Sequence, residues 1–273
     1  MKKVVHQIYW DFNNDGVKLE DIKQFYNPVQ KTKKHCKKYG IQHKMWNLKN
    51  CEDFLKKYFK DYLKLWKDFK YPIQRADFIR YCIMYKYGGI YIDCDIYPLK
   101  NINHLFNKDY FFVKRQESGP GSFPYNAIIG SKPGQEIFKK IMKHCKESTY
   151  EKQGKKIYDS WKGRLVFQTT GQYMLKRVLG KDKNILNILC IKNKKKNIDQ
   201  CAKGALFMDF NESVWYQDMV KPKNSNSKRT KRITKRITKR TKRLKKRTKR
   251  LKKRTNKRSN KRLKRSNKRT RRL

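Results

Sequence analysis

The sequence predicts an α/β fold, a sheet with helices on its faces, followed by a basic tail. Short β-branched and aromatic runs alternate with segments whose apolar residues recur at helical spacing, a pattern typical of such a sheet. The 273 residues suffice for one domain of this kind and an appendage. Positive charge is concentrated at the C-terminal end, where residues 228–273 hold 28 of the 73 Lys and Arg residues and no acid.

The elements follow from periodicity and from turn residues. Helix and loop are expected over Val17–Tyr39, and apolar stripes predict helices over the ranges Cys51–Phe69, Pro72–Tyr87, Gly134–Lys146 and Gly171–Leu179. Alternating or fully apolar runs predict strands at Val4–Trp10, Ile41–Trp46, Ile90–Ile92, Phe111–Arg115, Ala127–Gly130, Ile185–Ile191 and Ala205–Met208. His6, within the first of these strands, is expected to be a core residue.

The C-terminal end divides the chain into two parts, 1–223 and 224–273. The second part repeats short basic motifs and has too few large apolar residues to offset the entropy of ordering it, so disorder is predicted. Because the tail removes 28 charges from the total of +51, residues 1–227 keep a formal charge of +23. We expect the tail to bind an anionic polymer or an anionic membrane surface.

The seven cysteines have no paired spacing, which favours free thiols in a reducing compartment. There is no stretch of 18 apolar residues and no signal-peptide pattern at the start. We therefore expect a location on the cytoplasmic side, without a transmembrane segment.

The segment Pro72–Leu99 carries the chemistry. Asp77 and Arg80 are three residues apart on the predicted helix and share a face. Two glycines at 88 and 89 then allow a sharp turn and a close approach to a ligand.

The strand that follows presents polar groups at spacing two. Tyr91, Asp93 and Asp95 would point to the same side of an extended chain. Two carboxylates at the end of a buried strand are costly unless a cation joins them, and hard oxygen ligands suit Mg²⁺ or Mn²⁺. The sequence thus predicts a metal site where strands of an open α/β sheet commonly bind ligands.

This block resembles glycosyltransferase family 32, the sugar transferases with a DXD motif, and is also similar to the glucosylating bacterial toxins. The match is A-D-x-x-R-Y followed by Y-G-G-x-Y-x-D-x-D. Three further stretches resemble the family: Lys2–Trp10, Asn126–Gly134 and Thr169–Gly171. The resemblance implies a GT-A-like sheet that binds a nucleotide-sugar, and it covers most of residues 1–215.

The resemblance also implies roles for individual residues. Asp95 would coordinate the metal that bridges the donor diphosphate, and Asp93 would contact the ribose and the metal. Asp77 and Arg80 would hold the transferred sugar and the phosphate, so these four form the expected catalytic set. Tyr91 would line the donor pocket, and Tyr9 or Trp10 would pack near the base.

Near residue 209 the sequence departs from the family. A His is expected there close to the metal, and the stretch from Met208 to Trp215 has none. Asp209 could replace it as an oxygen ligand, and Ser213 and Trp215 could close over the donor. Gln172 and Gln135 stand where the family has Pro and His, and these changes affect the acceptor side.

The predicted function is metal-dependent transfer of a hexose from a nucleoside-diphosphate sugar to the hydroxyl of a glycan or protein acceptor. The resemblance implies retention of anomeric configuration. Two alternatives stay open: a nucleotidyltransferase, and a polyanion- or nucleic-acid-binding protein with a degenerate transferase body. A nucleotidyltransferase usually has a Gly-Ser entry and a further carboxylate strand, neither of which is evident. The intact Asp77, Arg80, Tyr91, Asp93 and Asp95 argue against degeneracy.

Overall fold

The computed structural model describes residues 3–12, 16–115, 123–152, 162–193 and 198–210. Strands and helices alternate in this part of the chain, so the predicted α/β class is confirmed. The strands are β1 Val4–Ile8, β2 Gln42–Trp46, β3 Gly89–Ile92, β4 Ile96–Pro98, β5 Tyr110–Arg115, β6 Phe123–Ser131, β7 Ile185–Leu186, β8 Leu189–Asn193, β9 Ile198–Cys201 and β10 Phe207–Asp209. The helices are α1 Lys23–Lys38, α2 Leu48–Tyr58, α3 Lys60–Asp68, α4 Pro72–Tyr87, α5 Glu136–Lys152, α6 Lys162–Thr169 and α7 Gln172–Leu179. The predicted tail, 224–273, lies outside the described residues.

Within these residues the larger sheet has the strand order β2-β1-β3-β6-β5-β7. The strand β1 pairs in parallel with β2 and with β3, and β6 pairs antiparallel with β3 and β5. The carboxyl ends of β1, β2 and β3 therefore lie at one edge, where ligands of open α/β sheets tend to bind.

Alternate residues of the central strand β3 enter two different apolar clusters. Ile90 and Ile92 pack with Val5, Phe111 and other residues on one side of the sheet. Tyr91 faces the other side, in a cluster that includes much of α4. The period-two alternation of a strand thus brings Tyr91 to the helix that carries Asp77 and Arg80.

A smaller sheet, in the order β4-β10-β8-β9, follows the turn after β3. The strand β10 pairs antiparallel with β4, so that Asp209 lies opposite Ile96. It pairs in parallel with β8 on its other side. The last described strand, β10, therefore lies close to the end of β3.

Two predicted elements are each divided in two. The helix predicted over Cys51–Phe69 is interrupted at Phe59, whose φ of −142° and ψ of 46° are not helical. The apolar pattern does not reveal the break, because Leu55 before it and Leu65 after it are both buried. The strand predicted over Ile185–Ile191 is likewise two strands, β7 and β8, which belong to different sheets.

The strands β4 and β9 and the helix α6 were not predicted. Their sequences are short or polar, and β4 pairs with β10, far along the chain. The strand β9 pairs with its neighbour β8, and in this pair Cys190 and Cys201 lie directly opposite each other and form a disulfide. The expectation of free thiols throughout is therefore wrong for this pair, whereas the other five cysteines are free and buried.

Among the described residues, no helix has both the length and the apolar content that crossing a membrane requires.

Candidate active site

Helix α4 holds Asp77 and Arg80 one turn apart and buries both. It begins with Pro72, whose fixed φ suits the first helical position. Gln74 anchors the first turn: its side-chain oxygen accepts from the backbone N–H of Tyr71 at 3.0 Å, and its amide donates to Thr169 Oγ1 at 2.8 Å. These hydrogen bonds fix the start of α4, and with it the positions of Asp77 and Arg80 in the core.

The helix ends in a two-glycine turn that leads into β3. Gly88 and Gly89 have φ of +64° and +94°, values that side chains other than glycine rarely adopt. A Cβ on Gly88 would lie 2.6 Å from the backbone oxygen of Ser131, and one on Gly89 would lie 2.5 Å from that of Val4. Only glycine fits at either position, and the resulting turn lets Tyr91 fold back over α4.

His6 secures this turn from β1. Its Nε2 lies 3.1 Å from the backbone oxygen of Gly88, and its Nδ1 accepts from Trp46 Nε1 at 3.1 Å. The proton of the neutral ring is therefore on Nε2. Burial, with the nearby charge of Lys44, lowers the pKa of His6 to about 3. His6 is the core residue that the sequence predicts.

Four side chains form a buried ionic network beneath β3. Arg80 Nη2 lies 3.0 Å from Asp77 Oδ1, and Arg80 Nη1 lies 3.3 Å from Asp93 Oδ1. The guanidinium is 4.6 Å from the centre of the Tyr91 ring, and the Tyr91 hydroxyl donates to Asp93 Oδ1 at 2.5 Å. The structure thus brings Asp77, Arg80, Tyr91 and Asp93 together.

Asn126 and Thr170 complete the ionic network, and no roles were predicted for them. Asn126 donates from its side chain to Asp77 Oδ1 at 2.9 Å, and its backbone oxygen accepts from Arg80 Nη1 at 2.8 Å. Thr170 donates to Asp77 Oδ2 at 2.9 Å. Both residues lie in stretches that resemble the family. The sequence signal for their roles was a polar residue beside a buried apolar run.

The exposure of these side chains differs. Those of Asp77 and Arg80 are 6% and 3% exposed, whereas that of Asp93 is 29% exposed. Arg80 directs N–H groups to Ala76, Asn126, Asp77 and Asp93, which uses four of its five. Asp77 and Arg80 therefore support Asp93 from below, and Asp93 is the member of the set that faces outward.

Burial raises the pKa of Asp77 to about 6, against the opposing effects of Arg80 and of the hydrogen bond from Thr170. Burial also raises the pKa of Asp93, and Arg80 again opposes it. At neutral pH Asp77 is mostly ionised. When Asp93 is ionised as well, the single positive charge of Arg80 is outnumbered, and the network carries one net negative charge.

The stretch after β3 is a turn and not the extended chain that the sequence predicts. The strand ends at Ile92, and the backbone N–H of Ile96 donates to the backbone oxygen of Asp93 at 3.1 Å. The side chain of Gln7 donates to the same oxygen at 3.2 Å, and Cys94 Sγ lies 3.2 Å from the backbone oxygen of Ile8. The turn is therefore fixed against the carboxyl end of β1.

The two aromatic residues after β1 differ in burial. Tyr9 is partly exposed and donates its hydroxyl to the backbone oxygen of Val17 at 3.0 Å. Trp10 is 9% exposed and packs edge to face on Phe12, in the same apolar cluster as α4. Ser213 and Trp215, the other predicted donor contacts, lie outside the described residues.

Asp95 and Asp209 lie at the junction of the two sheets. The backbone N–H of Phe210 donates to the backbone oxygen of Asp95 at 3.1 Å, which places Asp209 one residue away in the ladder. Asp209 is fully buried. Across the described ranges no three His, Cys, Asp or Glu residues converge as a metal-holding group.

The residues present nevertheless fit a divalent cation. Mg²⁺ is commonly held by one or two carboxylates together with substrate phosphates and water, so a cluster of three is not required. The contacts of Asp93 within the described chain fall on Oδ1, and the side chain is partly exposed. Asp93 and Asp95 supply hard oxygen ligands. The net negative charge of the network attracts a cation.

The structure thus places an Asp-Cys-Asp turn at the end of the central strand of an α/β sheet, above a buried Asp–Arg network. Residues 16–112 match the family model described as "Glycosyltransferase sugar-binding region containing DXD motif". The match covers about a third of the chain, and it confirms the resemblance found in the sequence.

The named relatives agree with this class. The chain is 29% identical over 144 residues to the uncharacterized glycosyltransferase L373 of Acanthamoeba polyphaga mimivirus, which covers 52% of this chain and 54% of the relative. It is 30% identical over 146 residues to the mannosyl phosphorylinositol ceramide synthase SUR1 of Saccharomyces cerevisiae, covering 53% and 34%. The chain thus spans about half the length of the first relative and about a third of the second.

Among solved structures, the chain is similar to the PaToxG glycosyltransferase. The TM-score is 0.44 and the sequence identity 16%, over 67% of this chain and 70% of that one.

Proposed function

We propose that this chain is a metal-dependent glycosyltransferase that moves a hexose from a nucleoside-diphosphate sugar to an acceptor hydroxyl. The observation that supports this most strongly is the ionic network of Asp77, Arg80, Tyr91 and Asp93 beneath the acidic turn. Such a network is expensive to bury, and a chain that only needed a stable core would do as well with apolar side chains.

In this proposal Asp93 and Asp95 hold the cation and the donor diphosphate. A divalent cation bound there would stabilise the negative charge that develops on the leaving diphosphate. Arg80 fixes the carboxylate of Asp93 and has one N–H left for a ligand, and its charge acts across a short, poorly solvated distance. Asp77 fixes Arg80 in turn.

Tyr9 is the better candidate of the two aromatic residues for the nucleoside. It is partly exposed and follows the end of β1, whose Gln7 and Ile8 contact the acidic turn. Trp10 is packed against Phe12 in the core. Asp209 stays a candidate metal ligand, and Ser213 and Trp215 stay candidates for closing over the donor. We name no protein nucleophile, and retention of configuration is proposed from the family resemblance.

The relatives suggest which donor to test first. One is named a mannosyl phosphorylinositol ceramide synthase, and another, from Schizosaccharomyces pombe, an initiation-specific alpha-1,6-mannosyltransferase. A nucleoside-diphosphate mannose is therefore the first donor, with the glucose analogue as comparison.

The decisive experiment is release of nucleoside diphosphate from these donors, with and without Mn²⁺ or Mg²⁺. Chelation should abolish the release, and either cation should restore it. Anomeric proton spectra of the transferred sugar test retention. Full activity in excess chelator would disprove the metal requirement. Release of pyrophosphate from a nucleoside triphosphate would instead support a nucleotidyltransferase.

A second proposal concerns the tail, 224–273, on the basis of its sequence alone. Its 28 positive charges over residues 228–273, with no acid, favour binding to an anionic polymer or membrane surface. Such binding releases counterions and weakens steeply with salt. A chain ending at Ser227 should keep donor hydrolysis and show a shallower salt dependence of heparin binding. Loss of donor hydrolysis would mean that the tail belongs to the catalytic unit.

A further inference from the structure

Two hydrogen bonds link His43 in β2 to the main chain of the acidic turn. The Nε2 atom of His43 lies 2.9 Å from Gln7 Oε1, and Gln7 Nε2 donates to the backbone oxygen of Asp93 at 3.2 Å. Because an amide oxygen only accepts, His43 supplies the proton of the first hydrogen bond. The imidazole of His43 is therefore connected to Asp93 through a single side chain.

The sheet register brings the side chains of His43 and Gln7 together. In the parallel pair of β1 and β2, His43 lies level with Val5, and Gln7 is two residues further along β1. These three side chains therefore share one face of the sheet. On this face Val5 packs in an apolar cluster with Ile90 and Ile92. Gln7 is thus a polar side chain beside an apolar cluster.

Burial makes the amide of Gln7 dependent on its protein partners. Gln7 is fully buried, so water does not replace a partner that is lost. A buried polar atom without a partner costs free energy, and a half-turn of the amide would bring its nitrogen to face the N–H of His43. His43 therefore fixes the one orientation in which the N–H of Gln7 meets Asp93.

His43 donates this hydrogen bond as a neutral ring. Desolvation by partial burial, with the nearby charge of Lys33, lowers the pKa of His43. At neutral pH the ring therefore carries one proton, which the contact with Gln7 places on Nε2. The ring adds no positive charge that would compete with a cation at the acidic turn.

The backbone of Asp93 is held at both of its polar atoms. Its N–H donates to the backbone oxygen of Ala127 at 2.8 Å, and its oxygen accepts from the N–H of Ile96 at 3.1 Å as well as from Gln7. The hydrogen bond from Ile96 closes the turn between Asp93 and Asp95. Gln7 therefore acts where the spacing of the two proposed metal ligands is set.

We infer that His43 is a positioning residue that acts through Gln7 to hold the acidic turn in the conformation that binds the cation. This inference rests on the proposed metal-dependent function. Replacing a residue that orients metal ligands through hydrogen bonds typically weakens metal binding by about 10- to 100-fold. A role in folding alone predicts lower stability with no change in the metal affinity of the folded protein.

The first test is Mn²⁺ binding to the full chain, followed by the paramagnetic resonance signal of the free ion. His43→Phe and Gln7→Met should each raise the Kd at least about tenfold. His43→Gln should bind like wild type, because its amide nitrogen can take the place of Nε2 and donate to Gln7. His35→Phe is the matched control and should leave the Kd unchanged. His35 is also partly buried, but its Nε2 has no hydrogen-bond partner among the described residues.

The second test is hydrogen–deuterium exchange without metal, followed by NMR. The amide of Ile96 belongs to the acidic turn, and that of Phe112 belongs to β5 of the larger sheet. The ratio of the Ile96 rate to the Phe112 rate should rise at least about tenfold in His43→Phe and Gln7→Met, because the turn opens locally. An unchanged ratio would mean that the variants lose stability only in general, and it would overturn the inference.

The two measurements separate this inference from the proposed function. If wild type binds Mn²⁺ and His43→Phe binds it equally well, the inference is wrong and the metal-dependent function stands. If wild type binds no Mn²⁺, the proposed metal requirement fails, and the exchange ratio alone decides whether His43 holds the turn.

Discussion

Arg80 lies beneath β3 with 3% of its side chain exposed and directs four N–H groups to protein oxygens. Lys31, in contrast, is exposed on α1, and its ammonium group lies over the ring of Tyr97. Arg80 contacts Asp93 in the acidic turn, and Tyr97 follows Asp95 by two residues. The first is committed to Asp77 and Asp93, and the second has no carboxylate partner within the described chain.

The difference separates positioning from recognition. A buried cation with four of its five N–H groups directed to the protein can hold a carboxylate in place, and it has only one donor left for an incoming molecule. An exposed ammonium held by ring faces contributes little to folding and keeps its donors for a ligand. The ionic network should therefore affect stability and donor chemistry, whereas Lys31 should matter little for folding.

The largest expected effect is on folding, from Arg80→Met. This change leaves Asp77 and Asp93 buried without a counter-charge and should lower the free energy of unfolding by about 3–5 kcal/mol. The matched change at an exposed cation, Lys31→Met, should cost under about 1 kcal/mol, the scale of an exposed cation–π contact. Urea denaturation followed by tryptophan fluorescence measures both. Similar losses in the two variants would remove the contrast.

The next comparison concerns two glycines with positive φ, Gly89 and Gly204. Gly89→Ala combines a φ of +94° with a Cβ 2.5 Å from the backbone oxygen of Val4, so it should destabilise by about 3 kcal/mol. Gly204, between β9 and β10, has a φ of +78° and nothing within 4 Å of an added Cβ. Gly204→Ala should therefore cost only about 1 kcal/mol. Thermal unfolding of the pair would show whether the turn before β3 is as tightly enclosed as the structure indicates.

A third comparison concerns two acidic residues, Asp95 in the turn and Asp199 in β9. Asp95→Asn keeps the shape of the side chain but loses a charged oxygen ligand, and kcat should fall at least about a hundredfold. Asp199→Asn, on the strand opposite Lys192, should leave kcat within about twofold, because no role in the donor site is assigned to it. Apparent affinity for Mn²⁺, measured in the same assays, should weaken only for Asp95→Asn. Parallel losses in both variants would indicate a general electrostatic effect.

The α4–β3 segment could be predicted from the sequence because its signals are local. Pro72, the two glycines and the apolar run after them define a helix, a turn and a strand within 21 residues. The proximity of Asp77 to Arg80 follows from helical spacing, and the contact of Tyr91 with Asp93 follows from their separation by two residues.

The remainder depends on long-range contacts that local patterns do not encode. Asn126 and Thr170 reach Asp77 from 49 and 93 residues away, so their roles appear only once the chain is folded. The same holds for the contact of Lys31 in α1 with Tyr97 in β4. The acidic turn was predicted as extended chain because alternation continues through it, whereas Gln7 and Cys94 bind it to β1 and bend it.

The last prediction tests whether the buried charge of the Asp77 carboxylate lowers the free energy of unfolding. The pKa of Asp77 in the folded protein is raised to about 6, above the value near 3.8 expected for an exposed carboxyl. The folded state therefore holds this proton more tightly than the unfolded state. The contribution of Asp77 to stability is present at low pH and is lost as the pH rises through about 6.

Between pH 4 and pH 6 this loss amounts to about 2 kcal/mol for Asp77 alone. Asp93, whose pKa is also raised by burial, adds to the slope in the same direction. In Asp77→Asn the titrating group is absent, while the amide keeps similar contacts with Asn126 and Thr170. The difference in unfolding free energy between wild type and this variant, measured by urea titration at half-unit steps, should change by about 2 kcal/mol across the window. A difference independent of pH would mean that the charge of Arg80 fully offsets the cost of burying the Asp77 carboxylate.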